Sequence, residues 1–329
     1  MKALVTGGGG FLGQAIVRLL LERDIEVVSI SRSFHESLAE LGVEQFCIDL
    51  ADIEANHPAF AGCEWVFHVA AKAGVWGSYA AYYSANVTAT QNVIKACRAH
   101  GIRKLIYTSS PSVVFDGNSI EGADESLPYP EHYDAPYPAT KAIAEQEIVR
   151  ANDANLATVA LRPHLIWGPG DNHLVPRIIE RGRTGQLRII GSGDNLVDCI
   201  YIDNAAAAHI CAAEKLAPGA GTSGKTYFIS QGDPRPLWDI VNAILVCADI
   251  PEVKRHIPTR VAYAAGWILE KLYASLQIEA EPRITRFVAR ELTTAHWFDI
   301  SAAQRDLGYE PRISIEQGME NLRAYLQNN

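Results

Sequence analysis

The sequence predicts an α/β fold: a doubly wound parallel sheet with a smaller, mostly helical cap. Three features lead there. Short β-rich runs alternate with helix-patterned segments through the first half, a cluster of glycines joins the first strand to the first helix, and the last third is largely helical in pattern. At 329 residues the chain can bury a large core. Its composition, 48% hydrophobic and 20% charged, suits a globular protein, and the net charge of −9 gives no electrostatic ground for a nucleic-acid partner.

The strands are read in order as KALVTG (2–7), EVVSIS (26–31), VEQFCIDL (43–50), WVFHVAA (65–71), KLIYTSS (104–110) and ATVALRPHLIWG (157–168). Helix-like segments separate most of them, which implies right-handed crossovers and a sheet covered on both faces. After Gly168 the pattern loosens into the turn GPGD, the helix LVPRIIERGRTG and the short strand LRIIG. The chain then returns to the sheet through CIYIDNAAAAHICAAEKL and KTYFIS. Beyond Pro234 it is mostly helical, including TRVAYAAGWILEKLYASL, which is apolar on more than one face. The division expected is 1–165 plus 186–232 for a dinucleotide-binding domain and 166–185 plus 233–329 for a substrate-binding cap.

KALVTGGGGFLGQAIVRLLLERD places a glycine turn between a strand and an amphipathic helix, the context that gives a glycine motif meaning. Gly7, Gly10 and Gly13 fit G-x-x-G-x-x-G, and Gly8, Gly10 and Gly13 fit G-x-G-x-x-G, so the register stays open. In either, glycines let the backbone approach a pyrophosphate lying against the N–H groups of the following helix. A Rossmann dinucleotide site is therefore expected. An NAD site wants an acid at the end of the second strand, but Ser31 and Arg32 stand there, and an arginine fork suits a 2′-phosphate. NADP(H) is favoured over NAD(H) on that ground. Asp49, at the end of the third strand, can accept from an adenine amino group or simply serve a turn.

Tyr137 and Lys141 in YPATK are four apart, so on a helix they share one face. A neighbouring ammonium favours the phenolate and lowers a tyrosine's pKa, which would make the phenol a better proton donor to a developing alkoxide. The spacing alone is common in surface helices. What sharpens it is the strand end YTSS (107–110), which supplies hydroxyls at the same sheet edge.

Together TGGGGFLG, DLAD, HVAA, NVTATQNVIKAC, YTSSPSV, YPATK and LRPHLIWGPGD resemble the extended short-chain dehydrogenase/reductases across nearly the whole chain. Within them the sequence is most similar to the 3β-hydroxysteroid dehydrogenase group. AAKAGVWGSY, ATKAIAEQ and AHWFDISAAQRDLGY are similar to its bacterial branch that reduces 2-alkyl-3-oxo acids in long-chain olefin biosynthesis. The resemblance implies that Tyr137 is the acid/base and that Lys141 binds the nicotinamide ribose and tunes the tyrosine. It implies that Ser110 hydrogen-bonds the substrate oxygen, with Ser109 beside it leaving that position open. Gly7, Gly10, Phe11, Leu12 and Gly13 would hold the pyrophosphate, Asp49 and Leu50 the adenine, and Ala70, Ala71, Pro163 and Leu165 would lie beside the cofactor. The implied activity is reduction of a hydrophobic 3-oxo acid to the 3-hydroxy acid by a cytoplasmic homodimer, alone or with enzymes of the same lipid pathway. Sterol-type dehydrogenation, or nucleotide-sugar epimerisation or dehydration, are the alternatives.

For the substrate, Lys72 is the expected carboxylate contact, with Arg177, Arg283 and Arg286 as competitors. Trp76, Tyr79 and the helix carrying Tyr263, Trp267 and Tyr273 are expected to line an acyl pocket, although each aromatic also fits core packing. No metal is expected: the ten histidines include no H-E-x-x-H, and His68, His164 and His173 read as packing or loop residues. The six cysteines have no C-x-x-C spacing and suit reduced thiols. No run of about 18 apolar residues suggests a membrane span, and the apolar start is too short for a signal peptide. Neither a nucleophile elbow nor a P-loop is expected.

Overall fold

The computed structural model describes residues 1–278 and 280–328. Its centre is a sheet of seven strands: β1 (Lys2–Thr6), β2 (Glu26–Ser31), β3 (Glu44–Cys47), β4 (Trp65–His68), β5 (Lys104–Thr108), a strand at Ala157–Pro163 and another at Lys225–Ile229. All pairings are parallel, with Thr6 opposite Ile30 on one side and His68 on the other. The spatial order runs from the Lys225 strand through the Ala157 strand, β5, β4 and β1 to β2 and β3. The winding reverses between β4 and β1, so a crevice opens at their carboxyl ends. Central strands are apolar at nearly every position because both faces are covered; Trp65–His68 and Ala157–Pro163 are buried throughout.

Two apolar clusters cover the faces. One packs Leu12, Ile16 and Leu20 of helix α1 (Phe11–Leu21) with Ala205, Ala208 and Ala212 of the helix Ile202–Lys215. The other joins Val93, Ala96 and Cys97 of helix α2 (Ala89–Ala99) to Ala144 and Ile148 of helix α3 (Pro136–Arg150). A buried pair ties α3 to the sheet: Arg162 Nη2 lies 2.6 Å from Glu145 Oε1, and Tyr129 Oη donates to the same oxygen at 2.6 Å.

The cap is not all helix. A second, four-stranded sheet joins Ile120–Ala123, Leu196–Val197, Arg235–Pro236 and His296–Phe298. Strands of two to four residues leave too short a period to read from sequence. Its first two strands come from stretches of chain flanking the main sheet's own strands, so the two parts interlock. Helices α4 (Thr259–Ser275) and α5 (Arg286–Glu291) pack together where Gly266 meets backbone; a Cβ there would stand 2.7 Å from the carbonyl carbon of Thr285. The outward face of α4 shows Val261, Trp267, Ile268 and Leu272 to solvent.

Residues 219–226, GAGTSGKT, do match the P-loop string, contrary to the expectation that none is present. The match is not a phosphate cradle. A P-loop opens a helix, whereas this turn leads into the strand Lys225–Ile229, and Lys225 Nζ pairs with Asp306 Oδ2 at 2.9 Å.

Candidate active site

β1 ends at Thr6, whose hydroxyl organises the crevice floor. Thr6 Oγ1 accepts from the backbone N–H groups of Val69 and Ala70, both at 3.1 Å, and so donates to Nδ1 of the buried His68 at 2.8 Å. His68 Nε2 then carries the proton and donates to Thr90 Oγ1 at 2.9 Å, which in turn donates to Asn86 O at 2.6 Å. Burial holds this imidazole neutral, with its pKa down to about 3. The His68 clasp fixes Ala70 against the glycine turn, where a Cβ on Gly7, at φ +68°, would meet Ala70 Cα at 3.0 Å.

The glycine turn fits a dinucleotide pyrophosphate. Gly10 caps α1 without any side-chain acceptor, leaving the first-turn N–H groups available to an anion. A Cβ on Gly13 would stand 2.1 Å from Gly7 O, so the approach of helix to turn needs glycine. A cavity of about 580 Å³ runs along this turn. Gly7, Gly10, Phe11, Leu12 and Gly13 line it, followed by Ser31, Arg32, Asp49 and Leu50, then Ala70, Ala71, Pro163 and Leu165. Gly8 and Gly9 pack instead against Ser29 and His35, so the wall follows the Gly7, Gly10, Gly13 register. Asp49 keeps both roles open: it lines the cavity, and its Oδ1 accepts from Ala51 N at 2.9 Å. Arg32 is exposed with no partner among the described residues, and Ser33 and His35 join it on the wall. Those two neighbours carry no motif of their own and are not among the expected contacts.

Ser110, Tyr137 and Lys141 line the same cavity. Pro136 begins α3, placing Tyr137 in its first turn and Lys141 one turn on. Burial is the largest effect on the tyrosine hydroxyl and leaves its pKa raised, although Ser110 beside it acts to lower it. This differs from the expectation that Lys141 acidifies Tyr137. Lys141, 2% exposed, donates from Nζ to Thr108 O at 2.6 Å and sits 4.1 Å from the Tyr107 ring centroid. It therefore faces the end of β5, and burial brings its own pKa down to about 7. Thr108 is steadied from behind: His209 Nδ1–H donates to Ala205 O at 2.7 Å, so its Nε2 accepts from the Thr108 hydroxyl at 2.9 Å.

A second cavity, about 190 Å³, adjoins the first. Ser110, Tyr137, Pro163 and Leu165 line both, so they form the partition. Beyond it the walls are Val75, Phe115, Ile120, Phe287 and Phe298, with His164, Glu291 and His296. Lys72 lines the larger cavity, its ammonium 5.2 Å from the Tyr82 ring centroid. Trp76 and Tyr79 line neither. Trp76 donates to Ile278 O at 3.1 Å and stands edge-on to Tyr273, while Tyr79 is half-exposed beside Tyr83. Tyr263, Trp267 and Tyr273 line neither cavity. Arg177 and Arg286 are engaged by Glu281 and Glu270, and Arg283 is exposed. No group of three or more His, Cys, Asp or Glu among the described residues is placed to hold a metal ion.

Residues 4–258 match the 3-beta hydroxysteroid dehydrogenase/isomerase family. The chain belongs to that family. It is accordingly an oxidoreductase of the CH–OH/C=O couple that depends on a nicotinamide cofactor. Among family relatives, the chain is 54% identical to a 2-alkyl-3-oxoalkanoate reductase of Stenotrophomonas maltophilia, covering 98% of this chain and 99% of that one. It is 36% identical to the decarboxylating sterol-4-alpha-carboxylate 3-dehydrogenase of Mus musculus, over 97% of this chain and 89% of that one. The fold is shared with a UDP-glucuronic acid 4-epimerase from Bacillus cereus solved with NAD, at a TM-score of 0.76, 22% identity and coverage of 100% and 99%.

Proposed function

We propose that the protein reduces 2-alkyl-3-oxoalkanoic acids to the 3-hydroxy acids with NADPH, and runs the reverse oxidation with NADP+. The observation that carries this reading is the partition: Ser110 and Tyr137 are the hydroxyls standing between a glycine-lined cavity and an apolar one. Bound in the larger cavity, a dihydronicotinamide supplies the hydride. Ser110 and Tyr137 direct two donors at the ketone oxygen, and Tyr137 passes its proton to the alkoxide as charge develops there. Lys141 holds the cofactor ribose and stands at the carbonyl end of β5. Pro163 and Leu165 fix the face of the ring. Gly7, Gly10 and Gly13 seat the pyrophosphate, with Phe11 and Leu12 opening the helix behind them; Asp49, Leu50, Ala70 and Ala71 flank the rest.

Arg32 and Ser31 support NADPH over NADH, since no carboxylate stands at the end of β2 to repel a 2′-phosphate. The apolar walls support a hydrophobic acid. Lys72, Trp76 and Tyr79 remain proposed as outer substrate contacts. The division at 165/166, 185/186 and 232/233 belongs to the same proposal and rests on the strand and helix pattern of the sequence; a homodimer, a cytoplasmic setting and a place in olefin biosynthesis also belong to it and rest on the likeness to the 3-oxo acid reductases. No helix among the described residues is long and apolar enough to cross a membrane. A sterol-type dehydrogenase is the second reading, favoured by the mouse relative.

The test measures NADPH oxidation with a 2-alkyl-3-oxo acid, NADP+ or NAD+ reduction with a 3β-hydroxysterol acid, and product formation from a UDP-sugar. The expected result is turnover of the keto acid and a preference for NADPH over NADH that Arg32→Ala cuts by roughly tenfold or more, as loss of a charge-assisted contact to phosphate requires. Turnover of the UDP-sugar with none of the keto acid would reverse the assignment.

A further inference from the structure

A 3-oxo acid in the smaller cavity, the reading proposed above and the one on which this inference rests, brings a carboxylate into a space whose lining contains no lysine or arginine. The two imidazoles there cannot take a cation's place. His164 Nδ1–H donates to Asp198 O at 2.8 Å. Thr294 Oγ1 donates to Arg290 O at 2.8 Å and so accepts from His296 Nε2–H at 2.6 Å. Burial keeps both rings neutral, with pKa values down to about 4 and about 3. Each ring's remaining nitrogen is an acceptor, which repels a carboxylate rather than binding it.

One other titratable group faces this space besides Tyr137. Phe287 and Glu291 lie one turn apart on α5, and both line the cavity. The helix is held in place by the close contact at Gly266 and by Thr285, whose hydroxyl accepts from Val288 N at 3.1 Å. The charged neighbours are all satisfied. Arg286 pairs with Glu270, Arg290 with Asp134, and Glu281, near Gly74 on the cavity wall, with Arg177. The Glu291 carboxyl alone makes no hydrogen bond or ion pair among the described residues.

We propose that Glu291 is a specificity-determining residue that grips the substrate's carboxylate as a protonated acid, the two carboxyl groups sharing one proton in the cavity that Tyr137 also lines. A carboxylate has only acceptors to offer another carboxylate; a carboxylic acid donates a charge-assisted O–H···O⁻ bond. Burial already pushes Glu291 up to about 7, and a substrate carboxylate alongside raises it further. When charged, Glu291 also raises the pKa of Tyr137, so sharing a proton with the substrate leaves one negative charge in the cavity with the acid/base instead of two. The sign follows. Glu291 is protonated below about 7, and affinity for the acid weakens as pH rises through that value, with proton uptake accompanying binding above it.

The experiment compares a 2-alkyl-3-oxo acid with the matching ketone lacking the carboxyl group, in the unaltered enzyme and in Glu291→Gln. Dividing kcat/KM for the acid by that for the ketone at each pH cancels titrations common to both substrates, that of Lys141 included. The expected ratio falls about tenfold between pH 6 and pH 8 in the unaltered enzyme and stays within about twofold in Glu291→Gln, whose amide donates at every pH. A second measurement uses the unaltered protein: calorimetric binding of the 3-hydroxy acid at pH 8, with oxidised cofactor saturating, in two buffers of different ionisation enthalpy. Uptake of close to one proton per acid bound is expected. Parallel ratios in the two enzymes, or binding without proton uptake, would overturn the role of Glu291 while leaving the reductase reading intact. Absence of keto acid turnover in the unaltered enzyme would remove both.

Discussion

Gly13→Ala tests the glycine turn most sharply, because the obstruction is backbone on every side. The added Cβ would lie 2.1 Å from Gly7 O and 2.8 Å from both Gly7 C and Gly8 Cα, where ordinary contact begins at 3.4 Å. The turn must therefore open by more than about 1 Å, and no flexible side chain can absorb the shift. Overpacking of this kind costs about 1–3 kcal/mol. If that strain falls on the form that holds the cofactor, at about 1.4 kcal/mol per tenfold it weakens NADPH binding about 5- to 140-fold. Fluorescence titration with NADPH measures it. Gly221→Ala is the control, since nothing lies within 4 Å of the added Cβ and its φ is not positive, so its effect should stay within about twofold. Binding by Gly13→Ala within twofold of the unaltered protein, with an unchanged urea midpoint, would refute the claim that this helix approaches the turn too closely for a side chain.

Tyr137→Phe keeps the ring and removes the proton donor, so kcat for ketone reduction should fall about 10²- to 10⁴-fold; retention of a tenth of the turnover would remove Tyr137 from the chemistry. For a carboxyl-free ketone, kcat/KM should decline as pH rises above about 7, because burial moves the charge loss of Lys141 down from 10.5 to that region. Lys141→Met should abolish that limb, and its persistence would assign the titration to another group. Glu145→Gln leaves the Arg162 guanidinium buried without its counter-charge, and breaking such a pair costs about 3–5 kcal/mol. A urea-unfolding loss under about 1 kcal/mol would show the pair to be relaxed rather than structural.

Much of the site is legible in sequence because its chemistry travels with local structure. The glycine turn sits between its own strand and helix, Tyr137 and Lys141 share one helical face, and Ser110 lies two residues past the end of a strand whose alternation with helices places it at the same edge. The seven-stranded sheet is legible for the same reason. What escapes is whatever only tertiary packing assembles. Ile120–Ala123 meets His296–Phe298 across most of the chain length, in strands too short to show a period. Phe287 and Glu291 reach the cavity because α5 docks at Gly266, and no motif announces that. Trp267 reads as a pocket lining and instead faces water, since amphipathic pattern gives a helix a greasy side without saying what will cover it. Nor does the four-residue spacing of Tyr137 and Lys141 show that the ammonium donates to Thr108 O, or that burial is the largest effect on the tyrosine.

The imidazole that clasps the crevice floor has three companions in the same condition, His164, His209 and His296, each held uncharged by burial with a pKa down to between about 3 and about 4. In the unfolded chain each titrates near 6.5, so mild acid protonates the unfolded form first and drains stability progressively from about pH 6.5 downward. These histidines thus begin to cost the protein stability at a pH well above the ordinary carboxylate range, and the clasp that positions the crevice floor is one of the four places where that cost arises.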